Sequence, residues 1–437
     1  NFTFGDGGII EKAEITKNIA ANSIIKEQED LNALSQQYTN WIAEDSTPQI
    51  PLTLEISESH TTSSITINID TNSEEELTYE YYVNGELKAT SNELTHTENI
   101  TLESEDPYIP SGFRYLEGTV DTGYVIQDIN LMNEFVWIPV KGGIYDVNVV
   151  AKKSDGSEVA RSNELTIEIS ELKRGEMEGV TYSYWTEDEG DINDKKSIAY
   201  FKHSVAVNKG FYMGRYEMGM PGQQSGDEPE LSLTYEARNI TGVPVCVPRV
   251  MPWTYIDWST AKSNIESMYN GEVQSAMLNS YARTTTINWF KATGQGAKWN
   301  SPSSCGIYQF GYGLDLDGTT YRGNCVIYDN HTLSESEDKF DNYTNLYDVT
   351  EGGVLSVQID TGGDTNPSKR NSVNNIFDLG GNASEWSTER KIDGTGYRIS
   401  GGSFVDNPAL STDMDHPIIR AGTTGSFEIS SRPILYK

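Results

Sequence analysis

The stretch NNIFDLGGNASEWSTERKIDGTGYRISGGSF, residues 374–404, decides the fold of the C-terminal half of this chain. Its paired glycines at 380–381 allow the positive φ of a turn, and the pair at 401–402 allows close approach of a neighbouring backbone. Trp386 lies between the two pairs and is large enough to anchor a core. We therefore expect this stretch to form the centre of a packed domain.

Asn382 and Glu385 are polar residues of this stretch with two open interpretations. Their side-chain oxygens can tie the loop to its own backbone amides. Alternatively, they can bind a hard cation, for which calcium is the candidate. The sequence indicates no other cofactor.

The same stretch carries two motifs in a fixed order. An apolar-Asp-apolar-Gly-Gly-Asn run ends at Asn382 and is followed by Glu385-Trp386, and Arg-x-x-Gly-Gly-Ser-Phe follows at residues 398–404. This pattern resembles the C-terminal core of formylglycine-generating-enzyme-like (sulfatase-modifying-factor) domains. The resemblance implies a C-terminal domain with the C-type-lectin-like, mixed α+β fold.

The segment that follows these motifs, residues 405–422, indicates whether the chain could act as a cysteine oxidase. Family members that oxidise a substrate cysteine carry a reactive cysteine pair just after Arg-x-x-Gly-Gly-Ser, but residues 405–422, VDNPALSTDMDHPIIRAG, contain no cysteine. We therefore expect no oxidase activity and assign no catalytic residue. The polar side chains of this segment suit the surface of a glycan or a protein, and they are the candidate ligand-binding residues; an ordinary solvated loop is the alternative. The candidate residues are Asp406, Asn407, Thr412, Asp413, Asp415 and His416.

Composition narrows the class of function. The 437 residues carry a formal net charge of -33, from 65 Asp and Glu against 32 Lys and Arg. Such a field repels phosphate backbones and anionic membranes, so nucleic-acid binding is not expected. The charge suits a solvated surface outside the cell.

Three cysteines, Cys246, Cys305 and Cys325, are too few for a disulfide-built scaffold. In a secreted protein, Cys305 and Cys325 could close one bridge and leave Cys246 as a buried thiol. Three inert buried thiols are the alternative.

The N-terminal segment has a heptad pattern. Residues 8–43 are predicted to form one long helix with a coiled-coil-like seam for self-association, made by Ile24, Leu31, Leu34, Tyr38 and Trp41. The opening FGDGGIIEKAEITKNI, residues 4–19, resembles the segment that follows the hydrophobic helix of type IV pilin-like surface proteins of Gram-positive bacteria. The resemblance implies membrane contact only through a segment preceding Asn1. An amphipathic helix packed on the following domain is the alternative.

Residues 47–106 and 142–170 contain runs that alternate apolar and polar side chains, as half-buried strands do. Asn84-Gly85 lies between two such runs and is a strong hairpin-turn signal. The set resembles an immunoglobulin or fibronectin-type-III sandwich of bacterial surface proteins.

Residues 107–141 break this pattern and resemble the hairpin that opens formylglycine-generating-enzyme-like domains. We expect this hairpin to interleave with the C-terminal domain, residues 171–437, and its apolar run at 135–140 to be buried on both faces. A long sandwich loop is the alternative. Within the C-terminal domain, a strand is predicted at 209–217 and a helix at 275–292.

These patterns together predict an α+β multidomain chain. Its parts are a long N-terminal α-helix (residues 1–46), an immunoglobulin/fibronectin-type-III-like β-sandwich and a C-terminal C-type-lectin-like mixed α+β domain. The predicted function is a non-enzymatic, extracellular, pilus-like structural protein that displays the lectin-type domain on the cell surface. An adhesin that recognises a glycan or a protein through the C-terminal loops is the alternative.

Overall fold

Antiparallel β-sheet dominates the computed structural model. The structure describes residues 26, 28–35, 52–174, 185–224, 240–248, 250, 252–295, 307–310, 324–329, 332–335, 372–377, 379, 383–401, 418–420, 425–426 and 429–437. The statements below concern these residues.

The predicted fold class, an α+β chain with a long N-terminal helix, is wrong. The described chain is mostly strands in several sheets, and its helices are short. In the N-terminal segment, the described helix α1 covers residues 28–35. A heptad spacing does not by itself stabilise a long helix, because most helical stability in proteins comes from packing against a partner surface. Among the described residues, no helix is long and apolar enough to span a membrane.

Eleven strands lie between residues 52 and 174. They are β1 (Leu54–His60), β2 (Ser64–Thr71), β3 (Thr78–Val83), β4 (Glu86–Ser91), β5 (Thr95–Asn99), β6 (Phe113–Glu117), β7 (Val125–Asp128), β8 (Glu134–Pro139), β9 (Gly142–Lys152), β10 (Glu158–Arg161) and β11 (Leu165–Ser170).

Two of the sheets share one core, and we call this unit the sandwich module (residues 52–106 and 142–170). One sheet has the order β1-β2-β5, and the other has the order β10-β9-β3-β4 with β11 also paired to β9. Both contribute apolar side chains to the common core, such as Ile67 from β2 and Val149 from β9. The predicted Asn84-Gly85 hairpin is confirmed: φ is 51° and 74° at these residues, and they connect β3 to β4.

The remaining elements follow in chain order. They are β12 (Trp185–Thr186), α2 (Ile198–Asn208), β13 (Gly210–Gly214), α3 (Trp258–Glu266), β14 (Gln274–Met277), α4 (Ser280–Phe290) with a π-helical turn (Lys291–Gln295), β15 (Ile307–Phe310), β16 (Asn324–Asp329), β17 (Thr332–Glu335), β18 (Ser372–Val373), β19 (Ile376–Phe377), β20 (Ser384–Lys391), β21 (Tyr397–Ser400), β22 (Ile418–Arg420), β23 (Ile429–Ser430) and β24 (Pro433–Tyr436).

A six-stranded sheet of order β14-β24-β13-β8-β7-β6 forms the centre of the second unit. β8 pairs antiparallel with β13, placing Trp137 opposite Tyr212. The hairpin strands of residues 107–141 thus lie in one sheet with strands from much later in the chain. We call the described parts of 107–141 and 171–437 the C-terminal module; the domain boundaries themselves stay a prediction.

The central sheet is covered on both faces. Along β8, Phe135 and Trp137 point into one apolar core, whereas Val136 and Ile138 point into another. All four side chains are fully buried, so the expectation of a strand buried on both faces is confirmed. A strand without a solvent face carries no polar alternation, which is why this run is continuously apolar.

The decisive stretch of the sequence forms β20 and β21 of a second sheet, of order β12-β20-β21-β22. Trp386 is fully buried, and its indole nitrogen donates to the Ile256 carbonyl oxygen at 3.1 Å. Gly401 has φ 97°, and a Cβ there would lie 2.9 Å from the Leu379 carbonyl oxygen. The predicted core tryptophan and close backbone approach are confirmed.

The two modules meet where the chain passes between them. Glu103 and Gly142 exchange two backbone hydrogen bonds, and the Glu171 N–H donates to the Lys141 carbonyl at 2.8 Å. Beside this crossing, the ring nitrogen Nδ1 of His203 in α2 lies 2.6 Å from Glu168 Oε1 in β11. These backbone hydrogen bonds each lie within one module and hold the crossing segments, whereas the contact between His203 and Glu168 joins the two modules.

Candidate functional site

Glu385 lies at the centre of a buried charged cluster. β20 directs its carboxylate toward Arg283 of α4 and Arg432, which precedes β24. Arg283 Nη1 donates to Glu385 Oε2 at 2.8 Å, and Arg432 Nε donates to Oε1 at 2.5 Å. All three side chains are at most 2% exposed. Each carboxylate oxygen therefore has its own guanidinium donor.

This arrangement bears on the predicted cation site. A calcium ion at Glu385 would have to displace Arg283 or Arg432, because their guanidinium groups occupy both oxygens. Asn382, the other predicted ligand, lies outside the described residues. Within the part of the chain that the structure describes, no group of three or more His, Cys, Asp or Glu side chains could hold a metal ion. The calcium site stays a prediction.

The remaining donors of Arg432 hold three parts of the fold together. Its Nη1 and Nη2 donate to the carbonyl oxygens of Gly214 (2.9 Å) and Phe377 (2.7 Å). Burial favours a lower pKa for Arg432, but Glu385 and Glu217 outweigh it and raise the pKa above its ordinary value. The arginine therefore stays charged and acts as a structural link.

A second buried carboxylate, Glu389, lies farther along β20. It accepts from Arg398 Nη1 at 2.6 Å and from Arg174 Nε at 3.0 Å. Like Glu385, it is fully buried. General acid-base catalysis requires a carboxyl within hydrogen-bond reach of a substrate, so two enclosed carboxylates of this kind fit a scaffold rather than a catalytic pair.

Glu187 differs because its hydrogen bonds come from neutral donors. It accepts from the Ser280 hydroxyl at 2.5 Å, from the Ser280 N–H at 3.2 Å and from the Thr388 hydroxyl. Burial, and then the negative charge of nearby Glu389, raise the pKa of the Glu187 carboxyl. Its role is to tie the start of α4 to β20.

Cys246 is a buried free thiol. Its Sγ lies 3.3 Å from the carbonyl oxygens of Glu134 and Tyr216, and burial raises its pKa to about 12. A thiol that stays protonated at neutral pH is a poor nucleophile. Cys305 and the side chain of Cys325 lie outside the described residues, so their predicted bridge stays a prediction.

Neither a protein-family model nor a curated protein matches this chain.

The six predicted ligand-binding residues, Asp406, Asn407, Thr412, Asp413, Asp415 and His416, lie outside the described residues. The strands on either side of this segment are described, and they pair: Tyr397 of β21 is opposite Arg420 of β22, and Ile399 is opposite Ile418. The segment therefore begins and ends at two neighbouring strands of the same sheet.

Tyr397 of β21 also belongs to an aromatic pair that was not predicted as a site from the sequence. The rings of Trp258 and Tyr397 stack with centroids 3.9 Å apart and an interplanar angle of 18°. The Trp258 indole nitrogen donates to the Ser387 carbonyl at 2.8 Å. Both side chains are half-buried. Because the two residues are more than a hundred positions apart in sequence, a local sequence pattern does not predict that they pair.

Of the predicted assembly seam, only Leu31 and Leu34 are described. They lie on α1 and are 59% and 62% exposed. Ile24, Tyr38 and Trp41 lie outside the described residues. The two leucines are therefore open to an apolar partner.

Proposed function

We propose that this chain is a non-enzymatic, extracellular structural protein of the cell surface. It associates with copies of itself through the N-terminal segment and displays the C-terminal module outward. The observation that carries the proposal is the exposure of Leu31 and Leu34 three residues apart on α1. Residues at this spacing lie on one helix face, where exposed leucines gain free energy by packing against another surface.

The proposed display role is supported by the interior of the C-terminal module. Arginines enclose the buried carboxylates Glu385 and Glu389, and the only described cysteine with a described side chain is a protonated thiol. The formal charge of -33 favours a solvated surface and disfavours binding to other anions. The resemblance to formylglycine-generating-enzyme-like and pilin-like proteins is part of this proposal.

Self-association through α1 is tested by sedimentation of the full chain and electron microscopy of its assemblies. The L31Q/L34Q variant keeps helix propensity while removing both apolar side chains. We expect it to lose higher assemblies. N32Q, an exposed polar position on the same helix, is the matched control and should assemble as the wild type does. Equal assembly of L31Q/L34Q and wild type would overturn the proposal.

An adhesin that binds a glycan or a protein through residues 402–417 is the second candidate. Pairing between β21 and β22 favours it, because it fixes both ends of this segment on a packed sheet. A glycan array probed with and without a calcium chelator tests the glycan form. Absence of binding in both conditions would count against glycan recognition.

A further inference from the structure

The tripeptide Asn-Gly-Glu occurs twice in the chain, at residues 84–86 and 270–272, and these are its only Asn-Gly sequences. Both lie in turns: the first connects β3 to β4, and the second lies between α3 and β14. Asn84 and Asn270 are both exposed, and so are the glycines that follow them. The two sites therefore share one local sequence and the same access to water.

An asparagine followed by glycine can lose its side-chain nitrogen without an enzyme. The glycine backbone nitrogen gives up its proton and attacks the carboxamide carbon, forming a new C–N bond. The carboxamide C–N bond breaks, and its nitrogen leaves as ammonia with that proton. Water then opens the resulting succinimide ring at either carbonyl carbon, giving aspartate or isoaspartate. Glycine favours the attack because it has no Cβ to hinder it.

The hydrogen bonds of Asn84 oppose this reaction. Its Oδ1 accepts from the Asp146 N–H of β9 at 2.9 Å, and its own N–H donates to the Asp146 carbonyl at 2.8 Å. Asn84 and Gly85 have φ 51° and 74°, as a tight two-residue hairpin turn requires. Attack by the Gly85 nitrogen needs the carboxamide to leave Asp146 and rotate toward Gly85, so the hydrogen bond must break first.

The carboxamide of Asn270 has no such restraint. Among the described residues it makes no hydrogen bond, and the contacts that hold this turn belong to its neighbours. Gln274 Nε2 donates to the Gly271 carbonyl at 2.9 Å, and Glu272 accepts from the Ser111 N–H at 3.1 Å. A Cβ at Gly271 would meet nothing within 4 Å, so the space around the attacking residue is open.

We propose that Asn270 is a site of spontaneous deamidation and isoaspartate formation, whereas Asn84 is protected by its hydrogen bond to β9. The reaction requires only the chain itself and water. The inference goes beyond the proposed function and does not depend on it.

Either product changes the turn between α3 and β14. Both add a carboxylate next to Glu272, and isoaspartate also adds one methylene group to the main chain. Tyr269, on one side of the site, donates its hydroxyl to Asp128 Oδ2 at 2.8 Å, and Glu272, on the other side, accepts from Ser111. Lengthening the backbone between these two anchors loosens the contact of the turn with residues 107–141.

The test compares the two sites in the folded full chain and in the chain unfolded by denaturant, at the same mildly alkaline pH. Peptide mapping by mass spectrometry, with digestion at acidic pH, measures the conversion of each asparagine with time. Labelling by a protein-isoaspartate methyltransferase identifies the isoaspartate product. The unfolded chain gives the reference rate of each site.

We expect folding to slow the reaction at Asn84 at least about tenfold more than at Asn270, because one hydrogen bond contributes about as much free energy as a tenfold change in rate. Equal slowing at the two sites, or greater slowing at Asn270, would overturn the inference.

Gly271→Ala is the matched variant, because its methyl group hinders the attack but meets no neighbouring atom within 4 Å in the fold. It should slow conversion at Asn270 and leave the rate at Asn84 unchanged. An unchanged rate at Asn270 in this variant, or conversion there without isoaspartate, would overturn the succinimide route.

Discussion

Glu385 and Arg432 are two charges fully removed from water. Moving such ions into the interior costs several kcal/mol each, and the cost is offset only when every donor and acceptor is satisfied. Here Arg283 satisfies the second carboxylate oxygen, and two carbonyl oxygens accept from Arg432. The cluster is therefore stable as a set and sensitive to the loss of any member.

Arg432→Met should destabilise the protein by about 3–5 kcal/mol, because it leaves Glu385 buried with one guanidinium partner instead of two. Urea unfolding at neutral pH measures the change. Lys88→Met is the control: Lys88 pairs with Glu86 at 2.8 Å on an exposed strand, and surface pairs contribute little. Similar midpoints for R432M and wild type would show that the buried cluster is not coupled to folding.

The raised pKa of Glu187 predicts the direction in which folding stability changes with pH. Its pKa is raised in the folded protein, so the carboxyl favours folding while it is protonated, and this contribution is lost as pH rises through the raised pKa. Glu187→Gln removes the titration while keeping an oxygen acceptor for Ser280 and Thr388.

The stability difference between wild type and E187Q should therefore shift in favour of E187Q as pH increases from about 4 to 8. Urea unfolding of both proteins across this range tests it. Subtracting the two curves removes the other titrating groups. A difference that is constant with pH, or one that shifts toward the wild type, would contradict the assignment.

Single residues were predictable where backbone geometry or size decides the outcome. Trp386 is large and apolar, and Gly401 occupies a conformation that other residues avoid. The partners of Glu385 were not predictable, because Arg283 is 102 residues away and Arg432 is 47 residues away. A local pattern shows that a carboxylate is present but not which charges meet it.

At the scale of elements, local signals located strands better than helices. The helix predicted at 275–292 is strand β14 followed by α4, because residues 274–277 pair with β24 and Asn279 then caps the helix through Ala282 N–H. Helix α2 was not predicted. Its N-cap, Ser197, accepts from the Tyr200 N–H at 3.0 Å and was a local signal that could have located its start.

The pairing of β8 with β13 depends on a small residue. A Cβ at Gly210 would lie 2.2 Å from Trp137 Cζ2 and 2.7 Å from the Ile138 carbonyl oxygen. We expect Gly210→Ala to destabilise the protein by about 1–3 kcal/mol or more, because the buried indole has no free space.

Gly271→Ala is the matched control, since a Cβ there meets nothing within 4 Å. The thermal unfolding midpoints of the two variants compare a position where a methyl group clashes with one where it has free space. Equal midpoints would show that β8 and β13 can separate without cost.

At the scale of the whole molecule, the sequence predicted which runs form strands. It did not predict that β-sheet outweighs helix in the described chain. The heptad pattern predicted a long N-terminal helix, whereas the sheets that dominate the described chain depend on pairings between strands far apart in sequence. β13 pairs with both β8 and β24, which come from opposite ends of the C-terminal module. Such pairings are specified by the packed core rather than by any local stretch.

The junction suggests that the two modules unfold together. The chain passes between them near residues 103, 141 and 171, where backbone hydrogen bonds within each module hold the crossing segments. Lys209 at the end of α2 adds ion pairs to Glu105 (2.9 Å) and Glu103 (3.4 Å). Loss of structure in one module therefore removes the side-chain partners of Lys209 and His203 in the other.

Ile67→Ala tests this coupling, because Ile67 is fully buried in the sandwich core and its truncation should cost about 2–5 kcal/mol. The sandwich module contains no tryptophan, whereas those of the described residues all lie in the C-terminal module: Trp137, Trp185, Trp253, Trp258, Trp289 and Trp386. If the modules are coupled, the unfolding midpoint measured by tryptophan fluorescence falls although the substitution is in the other module.

Leu87→Ala is the control, because Leu87 is 51% exposed on β4. This variant should leave the fluorescence midpoint unchanged. A separate calorimetric transition for I67A, with the fluorescence midpoint unmoved, would show that the modules unfold independently despite the shared junction.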